Sequence, residues 1–276
     1  MPVATYHWCD EHLVLRAPDG RWHRRIAETT GLAMSEGRGT APVEIEVRDD
    51  LTVRVYADEA GFETASDLLI WLTITMSDVL MRKSGSFLLH AASLVVDGRA
   101  TLVFGRPHSG KSTLIWNAIE AGQEVLGDDL ARFDPATGGV CAIPRPPKKR
   151  IADGEDWPVA SLEEALTEGR DLCGNLSGEP SRLAPRSRRG IVNDWRRSWP
   201  VGGLLLLRRH DGAGVSTQPL EPDDKLEMLL MHARDWGAGP LAAVEALLPL
   251  EGSIVHVGHG EQRCALAAVL SCRPAG

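Results

Sequence analysis

One stretch of nine residues holds most of the chemistry this sequence can offer. Gly105-Arg106-Pro107-His108-Ser109-Gly110-Lys111-Ser112-Thr113 fits the pattern G-x-x-x-x-G-K-[ST] in full. Glycines at both ends of the loop permit a tight turn whose backbone N–H groups converge on phosphate oxygens. The helix that follows adds its partial positive charge. The Lys111 ammonium can reach the β- and γ-phosphates, and the Ser112 hydroxyl can ligate Mg²⁺. The expected ligand is a nucleoside triphosphate with its magnesium ion. His108, inside the loop, reads as a solvent-facing residue.

Three further groups lie near this loop in sequence. Leu126-Gly127-Asp128-Asp129 ends a short apolar run, and Asp128 follows Lys111 by seventeen residues. Paired carboxylates at the carboxyl end of a core strand lie where open α/β sheets bind ligands. One can hold Mg²⁺ while the other accepts the proton of an attacking hydroxyl. His90, in Leu88-Leu89-His90-Ala91-Ala92, closes a strand just ahead of the loop's own strand. By itself it is more often a structural histidine than a catalytic one. The third group is basic: Arg145, Lys148, Lys149 and Arg150, then Arg182, Arg186, Arg188, Arg189, Arg196 and Arg197. These side chains could grip a triphosphate or an acidic substrate through bidentate guanidinium bonds, or form a solvated face. Arg145, Arg188, Arg189, Arg196 and Arg197 are the candidates for substrate binding.

Positioning these groups requires a strand over residues 100–104 running into the loop and a helix over 111–121, with Gly122 at its C-cap. The strand at 124–126 then delivers the Asp pair, and residues 130–133 and 140–143 form a hairpin. Further along, the pattern gives strands at 203–207 and 253–257 and helices at 223–234, 241–248 and 261–270. Ahead of the loop lie strands at 87–89 and 93–96 and a helix over 65–82. The first sixty residues read as a small antiparallel sheet with one wet face, with strands at 12–16, 21–26, 43–48 and 51–56. Residues 144–200 are rich in Pro, Gly and Arg, with one helix expected near 159–168. The expected architecture is α/β: a mixed sheet with flanking helices in residues 85–276 and a small β-sheet subdomain with its linking helix in residues 1–84.

The chain has 276 residues with 43% hydrophobic and 25% charged, an ordinary globular composition. A net charge of −8 excludes a general nucleic-acid coat protein. The five cysteines (Cys9, Cys141, Cys173, Cys264 and Cys272) show no C-x-x-C spacing, so free thiols are expected rather than a disulfide framework or zinc site. The N-terminus lacks a signal-peptide pattern, and the run from Leu68 to Leu80 is too short to span a bilayer. A soluble, cytoplasmic protein without a membrane partner is expected.

Taken together, the run Leu89-His90-Ala-Ala-Ser-Leu-Val-Val-Asp-Gly-Arg, the loop, and Ala121-Gly-Gln-Glu-Val-Leu-Gly-Asp128-Asp129 resemble the core of HPr kinase/phosphorylase. The likeness is greatest to its shorter relatives found beside ribosomal and lasso peptide biosynthesis, and in order and spacing it covers residues 87–150. It implies a PEP-carboxykinase-like P-loop fold and ATP-dependent, Mg²⁺-dependent transfer of a phosphoryl group to a serine-type hydroxyl of a peptide or small protein. It also implies that Asp128 is the general base, that Asp129 supports the metal with Ser112, and that His90 orients the pair. Thr113 stands where HPr kinases have a glutamate, and Arg189-Gly190-Ile191-Val192 echoes a further family run. The assembly state stays open, a homo-oligomer included.

Three other readings compete. A kinase of a free small-molecule hydroxyl needs the same residues. A non-catalytic ATP-sensing module would not need the intact Asp pair. An ABC-type ATPase is suggested by Leu176-Ser177-Gly178-Glu179, but the strand that would carry its metal carboxylate ends in Arg208-Arg209.

Overall fold

A computed structural model describes residues 1–8, 11–20, 22–23, 26–27, 33–36, 44–48, 52–55, 58–61, 68, 71–72, 75–76, 85–143, 149–150, 181–182, 192, 197–232, 240–258 and 261–271. The chain forms two compact units. One comprises Met1–Ser84 with Lys148–Pro185, the other Gly85–Pro147 with Arg186–Gly276. Each unit thus takes two segments of chain, whereas the sequence suggested one continuous piece for each.

The first unit holds strands β1 (Val3–Trp8), β2 (Glu11–Arg16), β3 (Ala33–Glu36), β4 (Glu44–Val47), β5 (Thr52–Val55) and β6 (Asp58–Gly61). They lie in the order β3-β1-β2-β4-β5-β6. The pairing of β2 with β4 is parallel, so the sheet is mixed rather than antiparallel. Consecutive residues Ala4, Thr5 and Tyr6, and Leu13, Val14 and Leu15, are all buried. The middle of the sheet is therefore covered on both faces, against the expectation of a wet one. The run expected as a strand at 21–26 is helical at Trp22, His23 and Ile26. Trp22 and Ile26 are four residues apart, two strand repeats and about one helical turn, so alternation alone could not separate the two. The expected helix at 65–82 is helical where described, with Leu68, Leu72 and Met76 buried along one face.

The second unit is built on strands β7 (Phe87–Leu89), β8 (Ala92–Val96), β9 (Arg99–Phe104), β10 (Val125–Gly127), β11 (Ala131–Asp134), β12 (Gly139–Cys141), β15 (Ser198–Arg209), β16 (Val215–Pro219) and β17 (Gly252–Val257). A short pair, β13 (Lys149–Arg150) with β14 (Ser181–Arg182), falls in the first unit's second segment. Helices α1 (Lys111–Glu120), α2 (Pro222–His232), α3 (Pro240–Leu247) and α4 (Gln262–Ser271) complete the described elements. The β8–β9 hairpin closes on Asp97-Gly98, both at positive φ (50° and 77°), as a two-residue turn between twisted strands requires.

The twelve-residue β15 joins two groups of strands. Its first residues pair antiparallel with β12, which pairs with β11 and so with β7. From Val201 onward it runs parallel to β9, and from Leu204 parallel to β17. The register shifts between Val201 and Gly203, where a Cβ on Gly202 would stand 2.8 Å from that of Arg99. Beyond this bulge, side chains alternate between the two faces. Leu102, Phe104, Leu204 and Leu206 enter one core with residues of α2 and α3. Val103, Leu205 and Leu207 enter another with Leu114 and Ile115 of α1 and Leu266 of α4. Each such buried side chain contributes about 1.5–3 kcal/mol, so the central strands are fixed from both faces.

Candidate functional site at the carboxyl edge of the second unit

Topology alone brings the candidates together. β9 and β10 each pair antiparallel with β8, so they run in the same direction and end at the same edge. β9 ends there in the glycine-rich loop and β10 in Asp128-Asp129. β8 starts at that edge, and His90 lies two residues ahead of its first residue, Ala92. β15, parallel to β9, reaches the same edge at Arg208-Arg209.

The loop itself follows from its glycines. Gly105 has φ 153°, and a Cβ there would lie 2.5 Å from Ser109 Oγ and 2.7 Å from the Leu207 carbonyl oxygen. Gly110, the N-cap of α1, has φ 102° and no capping side chain, and no acidic residue occupies the helix's first turn. The positive end of the helix is thus left to whatever occupies the loop. His108 takes φ 66°, a left-handed conformation uncommon outside glycine. It is exposed, as the sequence suggested. The Ser109 Oγ is buried and accepts or donates no hydrogen bond, so the loop holds an unused polar atom at its centre.

Lys111 opens α1 on its core-facing stripe with Leu114, Ile115 and Ala118. Its Nζ donates to the carbonyl oxygens of Gly105 (2.5 Å) and Arg106 (3.2 Å), which folds the side chain back across the loop. Burial lowers its pKa from the ordinary 10.5, and the nearby charges of Asp128 and Asp129 oppose that shift. The lysine of the loop and both carboxylates of the next strand therefore lie within electrostatic reach of one another.

Asp128 is 5% exposed and Asp129 half-buried. Gly127 sets their turn, because a Cβ there would meet the Leu130 carbonyl. β10 is fixed along its other side by backbone bonds from Ile143 N–H to Leu126 O (2.8 Å) and from Val192 N–H to Val125 O (2.9 Å). His90 is half-buried, its N–H donates to the His232 carbonyl at 2.9 Å, and the two rings stack with centroids 5.8 Å apart. His232 also meets the Phe104 ring at 5.6 Å. The sequence gives residues 223–234 as a helix and does not single out His232. The 142-residue separation from His90 left no local signal.

A cavity of about 540 Å³ opens beside the loop, between residues 106–109, residues 206–209 of β15 and the inner face of α2. An ion pair, Arg208 to Asp224 at 3.2 Å, spans part of its rim.

The described arrangement fits a phosphate chain. It offers a glycine turn, an uncapped helix N-terminus, a buried lysine and an unused hydroxyl. Ser112 and Asp129 are the groups that could hold a divalent cation beside it, and Asp128 the one that could take a proton. No group of three or more His, Cys, Asp or Glu ligands occurs among the described residues.

No family model and no curated protein matches the chain. Among solved structures it is similar to the HPr(Ser) kinase/phosphatase from Coxiella burnetii. The identity is 12%, the match covers 66% of this chain and 92% of that one, and the TM-score is 0.26. A likeness of that size carries no weight beside the geometry above. No helix among the described residues is long and apolar enough to cross a membrane.

The arginine cluster fares differently. Arg145, Arg188, Arg189 and Arg196 lie outside the described residues, as does the expected helix near 159–168. Arg197 is described: it is exposed, and its guanidinium lies 4.5 Å from the centre of the Trp199 ring. It does not line the cavity beside the loop. β12 and β11 stand between its strand and β7, the strand that leads to His90.

Proposed function

We propose that this chain is an ATP-dependent kinase that transfers the γ-phosphoryl group to a serine-type hydroxyl of a peptide or small protein, a ribosomal or lasso precursor peptide among them. The observation that supports this reading most is that the strands carrying the loop and the Asp pair end at one sheet edge, where both carboxylates act on the Lys111 charge. A phosphate-binding cation beside a proton acceptor is what phosphoryl transfer needs and nucleotide sensing does not.

In this reading ATP supplies the phosphoryl group. The loop and Lys111 fix the phosphates, and Ser112 and Asp129 hold Mg²⁺. Asp128 removes the proton of the attacking hydroxyl, and His90, braced by His232, orients the carboxylates. Positioning and charge neutralisation do most of the catalysis, as little covalent work falls to the protein. The acceptor docks along residues 182–197. The bond from Val192 to β10 supports this, because it ties the end of that segment to the strand that delivers the Asp pair.

The test is transfer from labelled ATP to a serine-containing peptide by the parent and by Asp128→Asn. A general base contributes about 10²–10⁴-fold, so kcat should fall by that order while the dissociation constant for ATP moves little. Turnover within a few-fold of the parent at every pH would remove Asp128 from the role of base. Transfer to a free small hydroxyl compound but to no peptide would overturn the acceptor class.

A further inference from the structure

We infer that the cavity between the loop, the end of β15 and α2 is the seat of the nucleoside half of the triphosphate. This rests on the reading that the loop holds the phosphates, and it follows from the direction in which phosphoryl transfer must run.

The sheet order around the loop is β10-β8-β9-β15. Asp128 and Asp129 end β10, on one side of the loop's strand. β15 lies on the other. In-line displacement puts the attacking hydroxyl and the leaving oxygen on opposite sides of the transferred phosphorus. With the proton acceptor on the β10 side, the leaving diphosphate and the nucleoside attached to it extend toward β15. The cavity lies on that side, bordered by the loop itself.

Its size and chemistry agree. At about 540 Å³ it falls within the range of small-molecule sites. The wall formed by Leu206 and Met228 is apolar and buried, with exposures of 9% and 3%. Met231 stands at the mouth, 60% exposed, an adaptable thioether suited to lie over a flat ring. Glu227 and Asp224 line the same cavity and can accept hydrogen bonds from ribose hydroxyls or an exocyclic amine. An unpartnered apolar side chain exposed beside carboxylates is explained by a ligand that has both an aromatic face and N–H or O–H donors. His232 forms part of the wall and stacks on His90, so a nucleoside seated here would also press on the residue assigned to orient the carboxylates.

The experiment compares ATP with inorganic tripolyphosphate, which carries the phosphates and no nucleoside. Binding of each to the full chain with Mg²⁺ is measured by calorimetry, for the parent and for the double variant Glu227→Gln/Met231→Asn. ATP should bind the parent at least tenfold more tightly than tripolyphosphate. The double variant should lose about tenfold toward ATP and stay within twofold toward tripolyphosphate. Loss of the Glu227 charge would by itself favour any polyanion, so a selective loss of ATP cannot come from electrostatics. Irradiation with 8-azido-ATP should label the peptide containing residues 222–232. Equal affinity of the parent for ATP and tripolyphosphate, parallel losses in the variant, or a label elsewhere would overturn the inference alone. If the parent binds neither, the phosphate-loop reading falls and takes the inference with it.

Discussion

Lys111 is a cation held where water barely reaches, and this has two consequences of opposite sign. Burial lowers its pKa below 10.5, so the unfolded chain keeps the proton to higher pH than the folded one. Stability therefore rises as pH climbs through the interval between the lowered value and 10.5. A bound polyphosphate favours the protonated lysine, so its affinity should fall through the same interval. Thermal unfolding with and without tripolyphosphate across alkaline pH measures both trends, and Lys111→Ala should flatten them. That variant should also weaken polyphosphate binding by about 10–100-fold, the range of a hydrogen bond to a charged group. Unchanged binding would show that the lysine does not face the anion. Gly105 makes a purely steric prediction. In Gly105→Ala the new methyl meets the Leu207 carbonyl, a backbone atom that cannot move aside. With the positive φ, the cost is about 2 kcal/mol or more, a fall in Tm of roughly 5 °C for a unit of this size. A Tm within one degree of the parent would mean that the loop re-forms without strain.

At the scale of elements, α2 is the piece with the least expected duties. Lys225 is buried in it, and its Nζ donates to the carbonyl oxygens of Leu248 (3.0 Å) and Leu250 (2.6 Å), just past the end of α3. It serves as a C-terminal cap supplied by another helix, cation against the negative end of the dipole. Lys225→Met keeps the stem and removes the donor, leaving two carbonyls short of partners. About 1–3 kcal/mol of destabilisation follows, read from the urea midpoint at unchanged slope. Because α2 also walls the cavity, the same variant should loosen ATP more than tripolyphosphate. These roles were not legible in sequence, where Lys225 looked like one charge among several on an amphipathic helix. What was legible is local: the loop, α1, the Asp97-Gly98 turn and the strand before Asp128 all declare themselves within a few residues. β16 gave no pattern because four of its five residues are exposed, as befits an edge strand. β15 was half-read, from Gly203 on. Pro200, Gly202 and Gly203 interrupt the apolar run where the strand passes from β12 to β9. The stacking of His90 on His232 joins residues too far apart for any periodicity to link them.

For the molecule as a whole, the chain passes between its two units more than once, and the described groups of the candidate site lie in the second. All of the loop, the Asp pair, His90, His232 and the cavity belong to it. Its central strand, however, arrives late. Val201 pairs with Ala100, and the Leu207 carbonyl abuts the loop at Gly105, across about a hundred residues of chain. The β8–β9 hairpin can form as soon as its short turn is made. Until β15 inserts, however, β9 has one unpaired edge and the loop has no wall behind it. Growing from the ribosome, the chain exposes that edge while everything from residue 105 to 200 is still being made, a period in which strand edges invite wrong partners. The site therefore cannot be completed before β15 is in place. In refolding followed by pulsed hydrogen exchange, the amides of β8 and β9 should gain protection in an early phase, and those of Leu204 and Leu206 only in the phase that restores polyphosphate binding. Closure of the loop thus depends on a strand made about a hundred residues later, so a chain still short of β15 has no finished phosphate site.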